Sequence, residues 1–75
     1  MAFKRKTTDD LIRIMMAGAG FRLDARPRTT DELMQIAAAT KIGGGRLILT
    51  GMSIYNTDDL MRIAKAGAGH VTFEE

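Results

Sequence analysis

Thr29 to Gly51, TTDELMQIAAATKIGGGRLILTG, spell a helix start, an amphipathic run, a glycine stop and a strand in one unit. The segments on either side are imperfect copies of it. Thr7-Thr8-Asp9-Asp10-Leu11, Thr29-Thr30-Asp31-Glu32-Leu33 and Asn56-Thr57-Asp58-Asp59-Leu60 align. In each, a Thr or Asn precedes an acid by three residues, so that the first side chain can accept from an orphan amide of the first turn while the acid reaches back. The central copy alone, with Glu32, has the usual capping-box acid; the flanking copies have Asp. The paired acids also sit against the positive end of a helix dipole.

Counting from Leu11, Leu33 and Leu60, the positions three, four and seven later are Ile14, Met15 and Gly18; Ile36, Ala37 and Thr40; and Ile63, Ala64 and Gly67. That spacing is one apolar helix face. About 100° round the wheel from each Leu lies a large residue, Ile12, Met34 or Met61, and on the opposite flank lies Ala17, Ala39 or Ala66. A knob on one flank and Ala on the other suits parallel helices packed side by side. Each helix then meets glycine, at Gly18 and Gly20, at Gly43 to Gly45, and at Gly67 and Gly69. Glycine past a helix end takes the left-handed conformation without Cβ strain. Short strands follow: Phe21 to Ala25, Arg46 to Thr50 and His70 to Glu74. The first and last alternate apolar and polar residues, and the central one does so except at Ile48.

The reading predicts a single domain of three helix–strand repeats, 7–25, 29–51 and 56–75, behind a basic leader, 1–6, in which Ala2-Phe3-Lys4 is a candidate short extra strand. Helices are expected at about Thr8 to Gly18, Thr30 to Lys41 and Thr57 to Gly67. Strands are expected at about Phe21 to Ala25, Leu47 to Thr50 and His70 to Glu74. Pro27, which cannot join a ladder, falls in the Arg26-Pro27-Arg28 turn. Strands separated by helices of this length run parallel. Strands buried on both faces would read as continuous apolar runs; here the strands alternate, Ile48 excepted, with Phe21, Leu23, Leu47, Leu49, Val71 and Phe73 on one side. The fold class expected is therefore α/β, a three-stranded parallel sheet with all helices on one face, stacked in sequence order as a short solenoid.

These helix–strand units resemble leucine-rich repeats of the ribonuclease-inhibitor type, in which parallel strands line a concave sheet and helices form the outer ring. Leu47-Ile48-Leu49 matches the Leu-x-Leu of that motif, whereas no asparagine ladder follows the strands and the Leu-to-Leu spacing is 22 and then 27. The units are also similar to acid-capped, glycine-stopped helix–strand repeats of short bacterial proteins. The resemblance implies a contact surface on the uncovered sheet face and no particular activity.

Composition narrows the function. Hydrophobic content of 45% and charged content of 27% fit a folded globule and exclude a disordered chain. The absence of cysteine removes disulfides and Cys-based metal sites, and fits a reducing, cytoplasmic setting. Lys4-Arg5-Lys6 has no apolar stretch behind it, so no signal peptide is expected, and no apolar run reaches membrane-spanning length. The net charge is only +2, with acids and bases interleaved, which argues against nucleic acid as the partner. Its route, if any, is weak phosphate binding by Lys4, Arg5, Lys6, Arg26 and Arg28.

No catalytic signature emerges. The glycines end helices and lead into strands, whereas phosphate-cradling glycines lie between a strand and a helix start. The acid pairs diverge within first helical turns and read as caps rather than as a metal site. His70 is the single histidine and has no Cys beside it, and Ser53 and Tyr55 have no recognisable base. No cofactor or metal is expected, and an enzyme is not. What remains is the outward sheet face: Arg22 and Asp24; Arg46, Ile48 and Thr50; His70, Thr72 and Glu74. With the inward residues in register, Ile48 lies between Arg22 and Thr72, and Thr50 between Asp24 and Glu74, an apolar centre in a polar, arginine-containing surround. The expected function is a protein-binding or self-associating module, using this face or an open strand edge.

Overall fold

A computed structural model describes residues 7–26 and 28–75. The expected strand at Ala2 to Lys4 and the turn residue Pro27 lie outside the described residues. In chain order the described residues form α1 (Thr8–Met16), β1 (Phe21–Asp24), α2 (Thr30–Gly43), β2 (Leu47–Thr50), a 3₁₀ turn (Met52–Ile54), α3 (Thr57–Gly67) and β3 (Val71–Phe73). The strands make one sheet in the order β1-β2-β3. Both pairs are parallel, and the register places Phe21, Leu47 and Val71 in one row and Arg22, Ile48 and Thr72 in the next.

Each helix begins where its cap residue says. Thr7, Thr29 and Asn56 hold extended backbone and accept from the amides of Asp10, Glu32 and Asp59. At Thr29 the box closes in both directions, since the Glu32 carboxylate also accepts from the Thr29 amide at 2.9 Å. The 3₁₀ turn occupies the longer connection after β2 and buries Met52 in the core.

One apolar cluster joins Leu11, Met15, Leu33, Ile36 and Ile63 of the helices to Phe21, Leu23, Leu47 and Leu49 of the strands. The alternate strand residues are outside it, so the helices cover one face of the sheet. The buried arc of each helix shows how they are ranked. On α2, the central helix, Leu33, Ile36, Ala37 and Thr40 are all fully buried. On α1, Leu11 and Met15 are buried while Ile14 is half-buried and Gly18 exposed; on α3, Ile63 and Gly67 are buried while Leu60 is half-buried and Ala64 exposed. The two end helices thus turn opposite flanks toward α2. The flank residues agree: Ala39 of α2 is buried, Ile12 of α1 is half-buried, and Met34 of α2 lines the same surface hollow as Ala66 of α3. The hydroxyl of Thr40, the buried polar side chain of the core, donates to the Ala37 carbonyl at 2.6 Å.

Several boundaries differ from expectation. α1 stops at Met16, two residues early: the Ala17 amide still donates to Arg13 as in a helix, but Gly18 turns to φ 107° and its amide donates to Met15 instead. α2 runs on to Gly43; its left-handed cap is Gly44, at φ 82°, whose amide donates to the Thr40 carbonyl at 2.7 Å. Strand β1 ends at Asp24, although the Ala25 amide still donates to Thr50. Strand β3 is shorter than the expected His70 to Glu74. Its ladder contacts nevertheless extend to the His70 carbonyl, which accepts from Leu47, and to the Glu74 amide, which donates to Leu49.

The glycines divide into two roles. Gly44 supplies a positive φ, but Gly43, Gly45 and Gly20 are there for room. A Cβ on Gly43 would overlap the Met15 carbonyl oxygen, one on Gly45 the Ala19 carbonyl oxygen, and one on Gly20 would lie 2.8 Å from the Arg46 carbonyl oxygen. The turns leaving α1 and α2 are therefore in backbone-to-backbone contact. At the end of α3 the roles separate differently: Gly67 is buried with its missing Cβ against the Val71 side chain, and it is Ala68 that takes the left-handed cap, at φ 49°.

Two tests follow from this division. Gly43→Ala should lower stability by about 2 kcal/mol or more, since the obstructing atom is backbone that cannot rotate away. Gly44→Ala, which meets nothing within 4 Å, should lose only about 1 kcal/mol to left-handed strain. Equal losses in urea melts would remove the close-contact account. Conversely, Ala68→Gly relieves the same strain at an exposed cap and should raise stability by about 0.5 kcal/mol after the entropy of the added glycine is counted. An unchanged or lower urea midpoint would contradict that assignment.

Candidate functional site

The eight outward residues expected from the sequence are brought together by the sheet. Arg22 of β1, Ile48 of β2 and Thr72 of β3 form one row, and Asp24 and Thr50 pair in register. Arg46 and His70 precede β2 and β3, and Glu74 follows β3. The face is not a set of independent side chains. Arg22 forms an ion pair with Glu74 at 3.2 Å, reaching from β1 to the end of β3 across β2. Arg46 donates to the Thr72 hydroxyl at 2.8 Å, and Thr50 Oγ1 lies 3.4 Å from the Leu23 carbonyl oxygen, a marginal hydrogen bond. Ile48 lies between these two arginine contacts and is half-buried, its neighbours in the row being polar. Both arginines are exposed. The Arg22–Glu74 pair lies in solvent, where such pairs contribute about 0 to 1 kcal/mol, so it organises the face more than it stabilises the fold.

Asp24 is engaged elsewhere. Both of its oxygens accept from Arg26, at 3.0 Å from Nε and 2.7 Å from Nη2, and Oδ1 also accepts from the Arg26 amide. The hydrogen bonds to Asp24, and then its charge, hold the Arg26 guanidinium more firmly protonated than usual. Arg28 is half-buried and donates to the Thr8 hydroxyl at 3.0 Å. The two arginines of the turn are thus turned onto the protein's own acceptors.

A second polar cluster joins the helix starts. The Thr8 hydroxyl of α1 donates to Glu32 Oε2 of α2 at 3.0 Å while accepting from Arg28. Tyr55, read from the sequence only as a loop residue without a base, is the tie between the loops: its hydroxyl lies 3.0 Å from the Ala25 carbonyl and 3.1 Å from that of Arg28. Burial, and then the charges of Asp24 and Asp59, push its phenol above the ordinary range. This is a structural donor held neutral.

Among the described residues no group of three or more His, Asp or Glu is arranged to hold a metal ion, and no helix is long and apolar enough to cross a membrane. Compared with protein-family models, with curated proteins and with solved structures, the chain matches none.

The Glu32 cluster has a pH signature. Its carboxylate is held below the ordinary value of 4.5, first by the Thr29 amide and then by the Thr8 hydroxyl. A carboxylate with a lowered folded pKa contributes stability above its unfolded value, and that contribution is lost as pH falls through the folded one. Urea midpoints of Glu32→Gln should therefore fall less than those of the wild type between about pH 6 and pH 3, with the two curves converging at the acid end. Parallel curves would show that the cluster is not coupled to folding.

Proposed function

We propose that the chain is a non-enzymatic interaction module, a short solenoid of three leucine-rich-repeat-like helix–strand units that binds protein, including its own copies, through the uncovered sheet face or a strand edge. The observation that carries this reading is the organisation of the bare face: Ile48 half-buried at its centre, flanked by the Arg22–Glu74 and Arg46–Thr72 contacts. An apolar centre within an arginine-bearing polar rim is the usual composition of a small protein contact. The absence of cysteine suits a reducing, cytoplasmic setting for such a module. Asp24 contributes to the face mainly by holding Arg26, and the engagement of Arg26 and Arg28 within the protein favours a protein partner over nucleic acid.

Ile48→Glu tests the face. The variant should remain folded, losing about 1 kcal/mol or less because the side chain is outside the main core, and should weaken any association made through the face by about tenfold or more. Circular dichroism and sedimentation velocity on the same samples separate the two effects. Collapse of the fold would place Ile48 in the core, and full association with an intact fold would remove the face from the contact.

A further inference from the structure

We infer that copies of this chain stack head to tail, the α3–β3 end of one seating on the α1 end of the next, so that the packing inside the molecule continues between molecules. The inference rests on the self-association reading above but assigns it to the ends rather than to the sheet face.

Three observations converge on it. First, the two ends are complementary halves of a contact made inside the chain. Met34 of α2 and Ala66 of α3 line one hollow. The corresponding knob of α3, Met61, is 54% exposed, and the corresponding alanine of α1, Ala17, is exposed as well. Each end thus shows the half of the joint that the other lacks. Second, the sheet is unfinished at the same end. All three residues of β3 are only partly covered, whereas the inward residues of β1 and β2 are buried. The His70 carbonyl and the Glu74 amide bond toward β2, so alternation along the strand aims the amide groups of Val71 and Phe73 at the open edge. Third, the charge is graded along the stack. Among the described residues, 7–28 carry four basic and three acidic side chains, 29–51 two of each, and 52–75 two basic and four acidic. The α3–β3 end also has an apolar hollow between Leu60, Phe73 and Met52 with Glu74 and Glu75 on its rim. Opposite net charge at opposite ends steers copies into line and disfavours like-end pairing. Such a contact is heterologous, so each copy added presents a free end for the next.

The test blocks one end at a time. Met61→Arg adds a bulky charge at one end, and Ala17→Arg adds one at the other, both at exposed positions. Wild-type protein should gain mass with concentration in sedimentation velocity, less so when salt is raised from about 0.05 M to about 0.5 M, where the Debye length shortens severalfold. Each variant alone should lose association about tenfold or more, and an equimolar mixture should form a dimer with one copy of each and nothing longer. If either variant fails to fold, Ala17→Cys and Met61→Cys replace them: the chain has no native cysteine, and oxidation of the mixture should give the mixed disulfide in preference to either homodimer. A wild type that stays monomeric overturns the inference and leaves the face reading to a different protein. Variants that associate as well as the wild type, while Ile48→Glu does not, overturn it in favour of the face.

Discussion

The close contact between the turn leaving α1 and the turn leaving α2 sets the geometry of the rest. Backbone meets backbone there, with Gly43 on the Met15 carbonyl and Gly45 on the Ala19 carbonyl. Any side chain at these positions would hold the two turns apart. The strands begin immediately afterward, the Phe21 amide donating to the Arg46 carbonyl at 3.1 Å. A sheet spacing near 4.8 Å is narrower than the 8 to 10 Å between packed helices. The glycine turns join the two layers where the backbones come closest. The register of Phe21 with Leu47 follows, and with it which strand residues face inward.

That dependence explains what could be read from sequence and what could not. Cap residues, helix order, strand parity and the pairing of Ile48 with Arg22 and Thr72 were legible because each depends on periods of 3.6 and 2 that are local in the chain. The glycines were legible as stops but not as spacers, since a spacer is defined by atoms elsewhere, such as the Met15 carbonyl for Gly43. Ala68 shows the same limit. Gly67 is the natural candidate for the left-handed cap, yet packing against Val71 and Ala37 puts it inside the helix and pushes the strained conformation onto an alanine. Long-range polar contacts were out of reach for a third reason. Arg22 and Glu74 are 52 residues apart, and Arg26 selects Asp24 over solvent through a rotamer that no periodicity encodes.

The sheet face and the two edges of the sheet draw on the same few charges. Arg22 lies on β1, at the basic end of the molecule, and Glu74 just beyond β3, at the acidic end, so their ion pair spans the sheet and joins the two within one molecule. Both partners are well exposed, at 63% and 40%, so the pair is held weakly enough to be exchanged for contacts with another molecule. A partner on the face would meet this pair from above. A copy at the end would meet Glu74 from the side.

Burial makes the final step. The central helix hides all four of its core-face positions, while α1 and α3 each leave part of theirs uncovered on the flank away from α2. The central helix packs against a helix on each side, whereas α1 and α3 each pack mainly against one. A helix at the end of such a layer usually makes its outer flank polar. Here α1 does this only partly, with Ile14 half-exposed beside Arg13, and α3 does so with Arg62 and Lys65 while leaving Met61 in solvent. With the core divided among three short units, burying even one more such flank would be a large addition relative to the stability of a domain this small.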